Sequence, residues 1–401
     1  MDFNPYDREL HRNPYPVYRK LRDDHPVHHN SKLRFWTLSR FDDVHAALKA
    51  PEVFSSADGI AVGTPSDLVR KLPMMITMDP PRHTHLRALV NRAFTPRRIA
   101  ELEVRIREIA ARLVDSFIER GECDVVRDFS GPLPTTVIAE LLGVPAEDRE
   151  FFKERSTALV QANIGEALEG EQELDLSPAI DLATYLKKVY DERRSAPRDD
   201  LMSALLAATV DGESLNESEL IGFAFLLLVA GNETTTNLIS NAVLLLELYP
   251  DARARLLAEP TLLPTAVEEF LRFDSPVQGL ARTTTRAVEI RDRTIGAGER
   301  VLLLFGSANR DERHFDRPDH LDVARDPNHH LAFGFGTHFC LGASLARLEA
   351  RVAFETILSR LPNYSVNASG VERLHSGPIR GLARLPIEFS PSGRSRLAGM
   401  G

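Results

Sequence analysis

Phe333-Gly334-Phe335-Gly336-Thr337-His338-Phe339-Cys340-Leu341-Gly342 is the stretch on which the reading of this chain turns. Its three glycines let a backbone turn tightly and approach a flat ligand closely. A helical pattern starts at Leu341 and runs to about Leu361, which puts Cys340 at a helix N-terminus. Free N–H groups and the helix dipole there favour a thiolate over a thiol. A lone cysteine is more often a small buried hydrophobe. The glycine turn, His338 two residues earlier and the helix that follows point instead to a soft metal ligand. A structural zinc needs three further Cys or His ligands, and none has the spacing. One thiolate is what haem iron takes at an axial position.

The next element outward is a long helix. Asn216 with Glu219 makes a capping-box start, flanked by the apolar pair Leu215 and Leu220. Helical spacing continues to Tyr249, where Pro250 stops it. About 33 residues at 1.5 Å each predict a rod of roughly 50 Å. It is apolar nearly all round from Leu220 to Ala230, as a buried central helix is. Its middle, Gly231-Asn232-Glu233-Thr234-Thr235-Thr236, is poor helix material. A threonine hydroxyl in a helix can bond the carbonyl four residues back, here that of Ala230, and bend or open the helix beside Gly231. Glu233 is a carboxylate in a buried setting, costly unless partnered.

Phe333, Gly334, Gly336, His338, Cys340 and Gly342 together resemble the haem-ligand signature of the cytochrome P450 family, at every motif position. Ala230-Gly231-Asn232-Glu233-Thr234-Thr235 resembles that family's oxygen-activation motif, with Glu233 where many members carry Asp. The resemblance spans nearly the whole chain, from Pro14-Tyr15 to Arg380-Gly381-Leu382 and Leu385-Pro386. It implies one cytochrome P450 domain over residues 1–401, mainly α with a small β portion, its long central helix lying over a buried haem. The β-rich parts are expected near 1–80, 280–305 and 362–390, and the helical parts over 82–278 and 341–361.

The resemblance further implies haem b with the Cys340 thiolate as axial ligand, and Glu233 and Thr234 as the proton-handling pair. Phe333 lies in the same haem-binding run. His83 and Arg87, at i and i+4 after Asp79-Pro80-Pro81, match the propionate-binding pattern, with His85 as rival to His83; Arg282 and His338 complete that set. Glu269 and Arg272, at i and i+3, match a buried structural pair that a later arginine joins, Arg325 or alternatively Arg310. The substrate pocket is expected between Ile60 to Met75, Leu226 to Ala230, Val277 to Leu280 and Ile379, with Val229, Ala230, Val277 and Ile379 as contacts. The activity implied is insertion of one oxygen atom of O2 into a C–H bond of a lipophilic small molecule. Electrons would come from NAD(P)H through ferredoxin reductase and ferredoxin, as in the soluble bacterial branch. A peroxide-driven peroxygenase would not need Glu233 and Thr234, and accessory relatives without turnover typically lack the cysteine.

The rest of the chain agrees. Its 401 residues are 43% hydrophobic and 27% charged, a globular mixture that excludes wholesale disorder. Forty-nine Lys plus Arg against 58 Asp plus Glu leave a net charge of −9, which argues against nucleic acid as partner. Two cysteines, Cys123 and Cys340, make no disulfide framework and fit a reducing compartment. The polar start MDFNPYDREL holds no secretory h-region, and the longest apolar stretch, Leu220 to Gly231, is far short of the ~20 residues a membrane span needs. A cytoplasmic monomer without a membrane anchor is expected. Arg82, Arg87, Arg92, Arg97 and Arg98 form a run free of acids, which Arg347 and Arg351 extend, a candidate basic patch for an acidic electron donor. Pro51 to Pro81 reads as a long irregular loop, of the kind that is usually functional.

Overall fold

A computed structural model of the chain describes residues 2–63, 73–161 and 175–394. Its axis is the helix Glu217–Leu248. Asn216 Oδ1 accepts from the Glu219 backbone N–H at 3.0 Å, and a Glu219 carboxylate oxygen accepts from the Asn216 N–H at 3.1 Å, so two orphan donors are satisfied reciprocally. At the far end Tyr249 donates to the Leu245 carbonyl at 2.8 Å and Pro250 opens the next helix, Pro250–Ala258. The element is 32 residues long, about 48 Å.

Thr234 does take the Ala230 carbonyl, at 2.6 Å, yet the backbone stays α-helical through Gly231–Thr236, against the expected opening. Packing explains the difference. The helix is clasped by Pro132–Leu141, Arg149–Gln161, Ser177–Ser195 and Ala343–Arg360, and tertiary contact overrides weak local propensity. Asn232 and Thr236 face the first of these: Thr135 Oγ1 donates to Asn232 Oδ1 at 2.7 Å, and Thr236 Oγ1 donates to the Ser130 carbonyl at 3.1 Å.

Beside the helices lies a five-stranded sheet. Val27–Asn30 pairs antiparallel with Phe35–Leu38, which runs parallel to Arg300–Leu303; Leu280–Thr284 and then Phe54–Ser55 complete it, each antiparallel to its neighbour. The helix Leu263–Phe273 presents Ala266, Val267, Phe270 and Leu271 to the core at helical spacing.

Two parts of the expected layout need correcting. The region 1–80 is mixed rather than β-rich, since it holds helices Arg8–Arg12, Tyr15–Asp24 and Phe41–Leu48. Tyr18 and Leu21 bury one stripe of the second of these, a period too short to stand out in sequence. The stretch 82–278 is not purely helical: Glu122–Asp124 pairs with Pro386–Glu388, which also pairs with Ser365–Val366. Gly121, at φ +76°, turns the chain into this three-residue strand, which is below the length at which alternation is legible. No described helix is long and apolar enough to cross a membrane.

Candidate active site

The Phe333–Cys340 loop is closed by its own backbone. Cys340 N–H donates to the Phe333 carbonyl at 2.9 Å, Phe339 N–H to Gly336 at 3.0 Å and Gly334 N–H to Leu331 at 2.9 Å. Gly336 sits at φ +67°, and a Cβ there would lie 2.8 Å from the Leu48 carbonyl oxygen, so glycine is required twice over. The following helix is Ala343–Arg360 with Gly342 as its N-cap, so Cys340 lies two residues before the cap rather than directly before the helix. Burial pushes the Cys340 thiol up; the Gly342 N–H, Arg87, Arg347 and the Ala343 N–H pull it back without overcoming burial. The N–H groups at the helix start favour the thiolate, as the sequence implies, but burial outweighs them. Metal coordination, which deprotonates a thiol outright, is the missing contribution.

Cys340 lines a cavity enclosing about 1370 Å³ free of protein atoms, part of it continuous with solvent. The central helix contributes Leu226, Leu227, Ala230, Gly231, Thr234, Thr235 and Leu238, one face at spacings of three and four. Met75, Ile76, Ile138, Phe223, Val277, Leu280 and Phe333 continue an apolar lining.

Four polar residues interrupt this lining. His83, Arg87, Arg282 and His338 all line the cavity, and the two imidazoles lie 4.2 Å apart between centroids. Burial is the main cause that lowers His83 to about 4 and His338 to about 3, so both rings are neutral at pH 7. His338 Nε2 is 3.2 Å from Ser56 Oγ, whereas buried His83 Nδ1 has no hydrogen-bond partner. Burial lowers Arg282 to about 10 and also lowers Arg87. Among the described residues, neither guanidinium forms an ion pair. His85 instead pairs with Glu213 at 3.2 Å. Two partly desolvated guanidiniums without carboxylates, an orphan imidazole nitrogen, an apolar slot and one sulfur suit a flat, largely apolar group with two acidic arms and a soft metal. Haem b has that chemistry, and the residues fit it.

Away from the cavity, Glu269 and Arg272 are fully buried and joined by two contacts of 2.8 Å. Arg325 Nε reaches Glu269 at 3.1 Å; Arg310 goes elsewhere, to the Phe273 carbonyl and to Asp319. Glu269 also accepts from the Asp322 N–H at 2.9 Å and Asn328 Nδ2 at 3.1 Å, so it gathers the irregular stretch that precedes the cysteine loop.

Other expected residues fall outside. Glu233 is not in the cavity lining: a quarter-turn from Thr234, it accepts from Asn237 Nδ2 at 3.0 Å, and burial raises its carboxyl. Val229 shares that turned-away side and packs in the core. Ile379 bridges to Val277 and lines a separate small cleft with Leu10 and His11. Of the expected Ile60–Met75 wall, Met75 lines the cavity, Ile60 does not, and 64–72 lie outside the described residues. The basic run is largely matched by acids: Arg82 meets Glu213 and Glu219, Arg97 meets Glu101, Arg98 meets Asp199, Arg347 meets Glu268 and Arg351 meets Glu103 and Glu355. Arg92 donates to the Thr209 carbonyl.

The sequence reading missed two features. Glu268 accepts from Arg347 at 2.7 Å twice and from His330 at 3.2 Å, and the Arg347 guanidinium stands 4.6 Å from the Phe333 ring, bracing the cysteine loop. Glu349 lines the cavity from the Ala343–Arg360 helix; its place four residues after Leu345 on an otherwise apolar stripe was the available signal.

A family model described as Cytochrome P450 matches residues 179–386. Cytochrome P450 109 of Bacillus spizizenii is 40% identical over 383 residues, covering 94% of this chain and 92% of its own length. The solved structure of CYP109Q5 from Chondromyces apiculatus is 40% identical, covers 98% of this chain and 99% of its own, and superposes with a TM-score of 0.89. That of CYP109E1 from Bacillus megaterium, in complex with testosterone, is 37% identical, covers 94% and 99%, and has a TM-score of 0.84.

Proposed function

The chain belongs to the cytochrome P450 family and is a haem b monooxygenase with a cysteine thiolate ligand, and on that premise we propose that it hydroxylates a C–H bond of a lipophilic small molecule with electrons from NAD(P)H, delivered by a ferredoxin reductase and a ferredoxin. The observation that carries the reading is that Cys340 and Thr234 line one largely apolar cavity that also takes in the Arg87 and Arg282 guanidiniums, neither ion-paired among the described residues.

Haem, when bound, supplies the reductive activation of O2. Cys340 Sγ would hold the iron, and Arg87, Arg282, His83 and His338 would take the propionates, the arginines as charge-assisted donors. Phe333 covers the loop side. Thr234 Oγ1, which rests on the Ala230 carbonyl, is the hydroxyl that can turn to hold a proton at the reacting oxygen. Glu233 is the acid behind it: burial keeps its proton available at a higher pH than usual, and Asn237 steadies the carboxylate it leaves. The pair acts around the helix, not across a shared wall. Glu269, Arg272 and Arg325 fix the approach to the loop and touch no reactant.

The wall of Met75, Phe223, Leu226, Val277 and Leu280 is apolar and offers no charge to a substrate. A neutral, lipophilic substrate fits this wall, and the testosterone complex of CYP109E1 supports the same class. The chain acts as a single domain over 1–401, a monomer in the cytoplasm. Because the arginine run is mostly paired with acids, docking of a ferredoxin relies on local charge pairs more than on a broad positive field.

The test is the reduced, CO-bound spectrum of wild type and Cys340→Ser, followed by a lipophilic library screened for spin-state shifts. Wild type shows the red-shifted thiolate Soret band and the variant loses it. Survival of the band in the variant excludes Cys340 as ligand.

A further inference from the structure

His83 and Arg87, Arg282, and His338 reach the cavity from three separate segments: the helix Arg82–Ala93, the strand Leu280–Thr284 and the Phe333–Cys340 loop. Asp79 stands at the corner that joins them. Its backbone carbonyl takes the His83 N–H at 3.0 Å. Its side chain reaches the other two segments through a single turn. Asp79 Oδ2 accepts from Ser55 Oγ at 2.5 Å, and Oδ1 from the Ser56 N–H at 2.8 Å. Ser55 is the strand partner of Thr283, next to Arg282, and Ser56 Oγ lies 3.2 Å from His338 Nε2. The His338 ring also bonds the backbone of Met78, the residue before Asp79. Ser56 is fully buried, so water does not compete for its contacts. The chain beyond it is tied down as well. Arg300 donates to the Gly59 and Ala61 carbonyls, the Ala281 N–H to the Ile60 carbonyl at 2.7 Å, and Tyr6 Oη to the Val62 carbonyl at 2.5 Å. Ser55–Val62 is therefore a strap, and Asp79 holds its near end.

The charge of Asp79 is a second observation. Both of its oxygens are held by neutral donors, and among the described residues no cation is ion-paired with it, although it acts electrostatically on Arg282 and His83. Arg87 and Arg282 bring two positive charges, and the two acidic arms of haem bring two negative ones. Asp79 adds a third negative charge, and an uncompensated carboxylate near a redox iron favours the ferric state. We propose that Asp79 is a positioning residue for haem: its carboxylate latches Ser56 against His338, and its surplus charge holds the iron toward the ferric form. The inference rests on the haem-thiolate reading.

The test uses the full-length, haem-loaded enzyme with Asp79→Asn, Asp79→Glu, Asp79→Ala and Ser56→Ala. Each is read by redox titration of the haem and by the rate of haem transfer to an apo-globin acceptor. Asp79→Asn keeps the volume and an acceptor oxygen but loses the charge. Its reduction equilibrium should shift about 10-fold toward the ferrous form, which is about 59 mV for one electron. Asp79→Glu keeps the charge and should keep the wild-type potential. Ser56→Ala should keep that potential too, but the loss of one hydrogen bond should speed haem transfer about 3- to 10-fold. Asp79→Ala should show both changes. A role in folding alone lowers Tm and leaves the potential where it was. A wild-type potential in Asp79→Asn overturns the proposal, as does wild-type haem transfer in Ser56→Ala. A wild type lacking the thiolate CO band overturns the haem-thiolate reading itself, a failure separate from the other two.

Discussion

Replacing Glu269 by alanine removes the acceptor that four other residues share. Arg272 loses two contacts of 2.8 Å, Asp322 N–H one of 2.9 Å, and Arg325 and Asn328 one each of 3.1 Å. What remains around Arg272 is the Asn309 and Pro318 carbonyls at 2.9 Å and the His320 carbonyl at 3.4 Å, dipoles that share its charge but do not neutralise it. Stranding one member of a buried pair costs about 3–5 kcal/mol. At about 2.1 cal/mol/K per residue, the unfolding entropy of a chain this size makes 4 kcal/mol a fall of about 5 °C in Tm. The loss is concentrated where Asn309–Asn328 feeds the cysteine loop, so haem retention should suffer before the global fold does. Glu269→Ala should therefore purify with much less haem, a smaller thiolate CO band per chain and a Tm about 5 °C lower. Glu269→Gln keeps an acceptor oxygen and the volume, and should lie between. Arg325→Ala should cost least, because Arg325 is at the rim, 12% exposed, with only one contact to the carboxylate. Full haem occupancy and an unchanged Tm in Glu269→Ala would refute the reasoning. An order in which Arg325→Ala is the worst of the three would refute it too.

Thr234→Ala, which removes the cavity-facing hydroxyl but spares the helix, should divert electrons to hydrogen peroxide and lower product per NAD(P)H roughly 10-fold; Thr234→Ser should recover most of it, and an unchanged yield removes Thr234 from the proton route. Arg282→Met deletes a buried cation whose depression to about 10 corresponds to on the order of 3 kcal/mol of burial cost. It should speed loss of haem to an apo-globin acceptor by about 10- to 100-fold, the worth of one charged hydrogen bond, and an unaltered rate takes Arg282 off the propionates.

Much of this architecture was legible because its signals are local. The capping box at Asn216 and Glu219, the stop at Pro250 and the glycine turn before Cys340 are short-range devices whose chemistry is the same in the chain and in the fold. What could not be read depended on distant partners. Nothing near Glu122 says that it will meet Glu388, and nothing near Ile379 says that it will turn toward Leu10 instead of Ala230. The state of the Cys340 sulfur has the same divided origin. The N–H groups that favour Cys340 thiolate lie within three residues, while the burial that opposes it is a property of the folded chain as a whole. Arg325 and Arg310 were equivalent in sequence and separated only once Glu269 had a position.

The central helix shows why a weak, polar patch survives in a buried rod. At 100° per residue its middle divides into three faces. Ala230, Gly231, Thr234 and Thr235 front the cavity; Asn232 and Thr236 are tied to Thr135 and Ser130; Glu233 and Asn237 bond each other on the third side. Residue type alone groups Glu233 with Thr234 as neighbours, but helical geometry turns them apart, so no direct hand-over joins them. A proton from Glu233 has to travel round the rod to reach the hydroxyl. Replacing Glu233 by glutamine should then lower product per NAD(P)H less than Thr234→Ala does, since the hydroxyl fronts the cavity and the carboxyl does not, and an equal loss in both variants would refute that order.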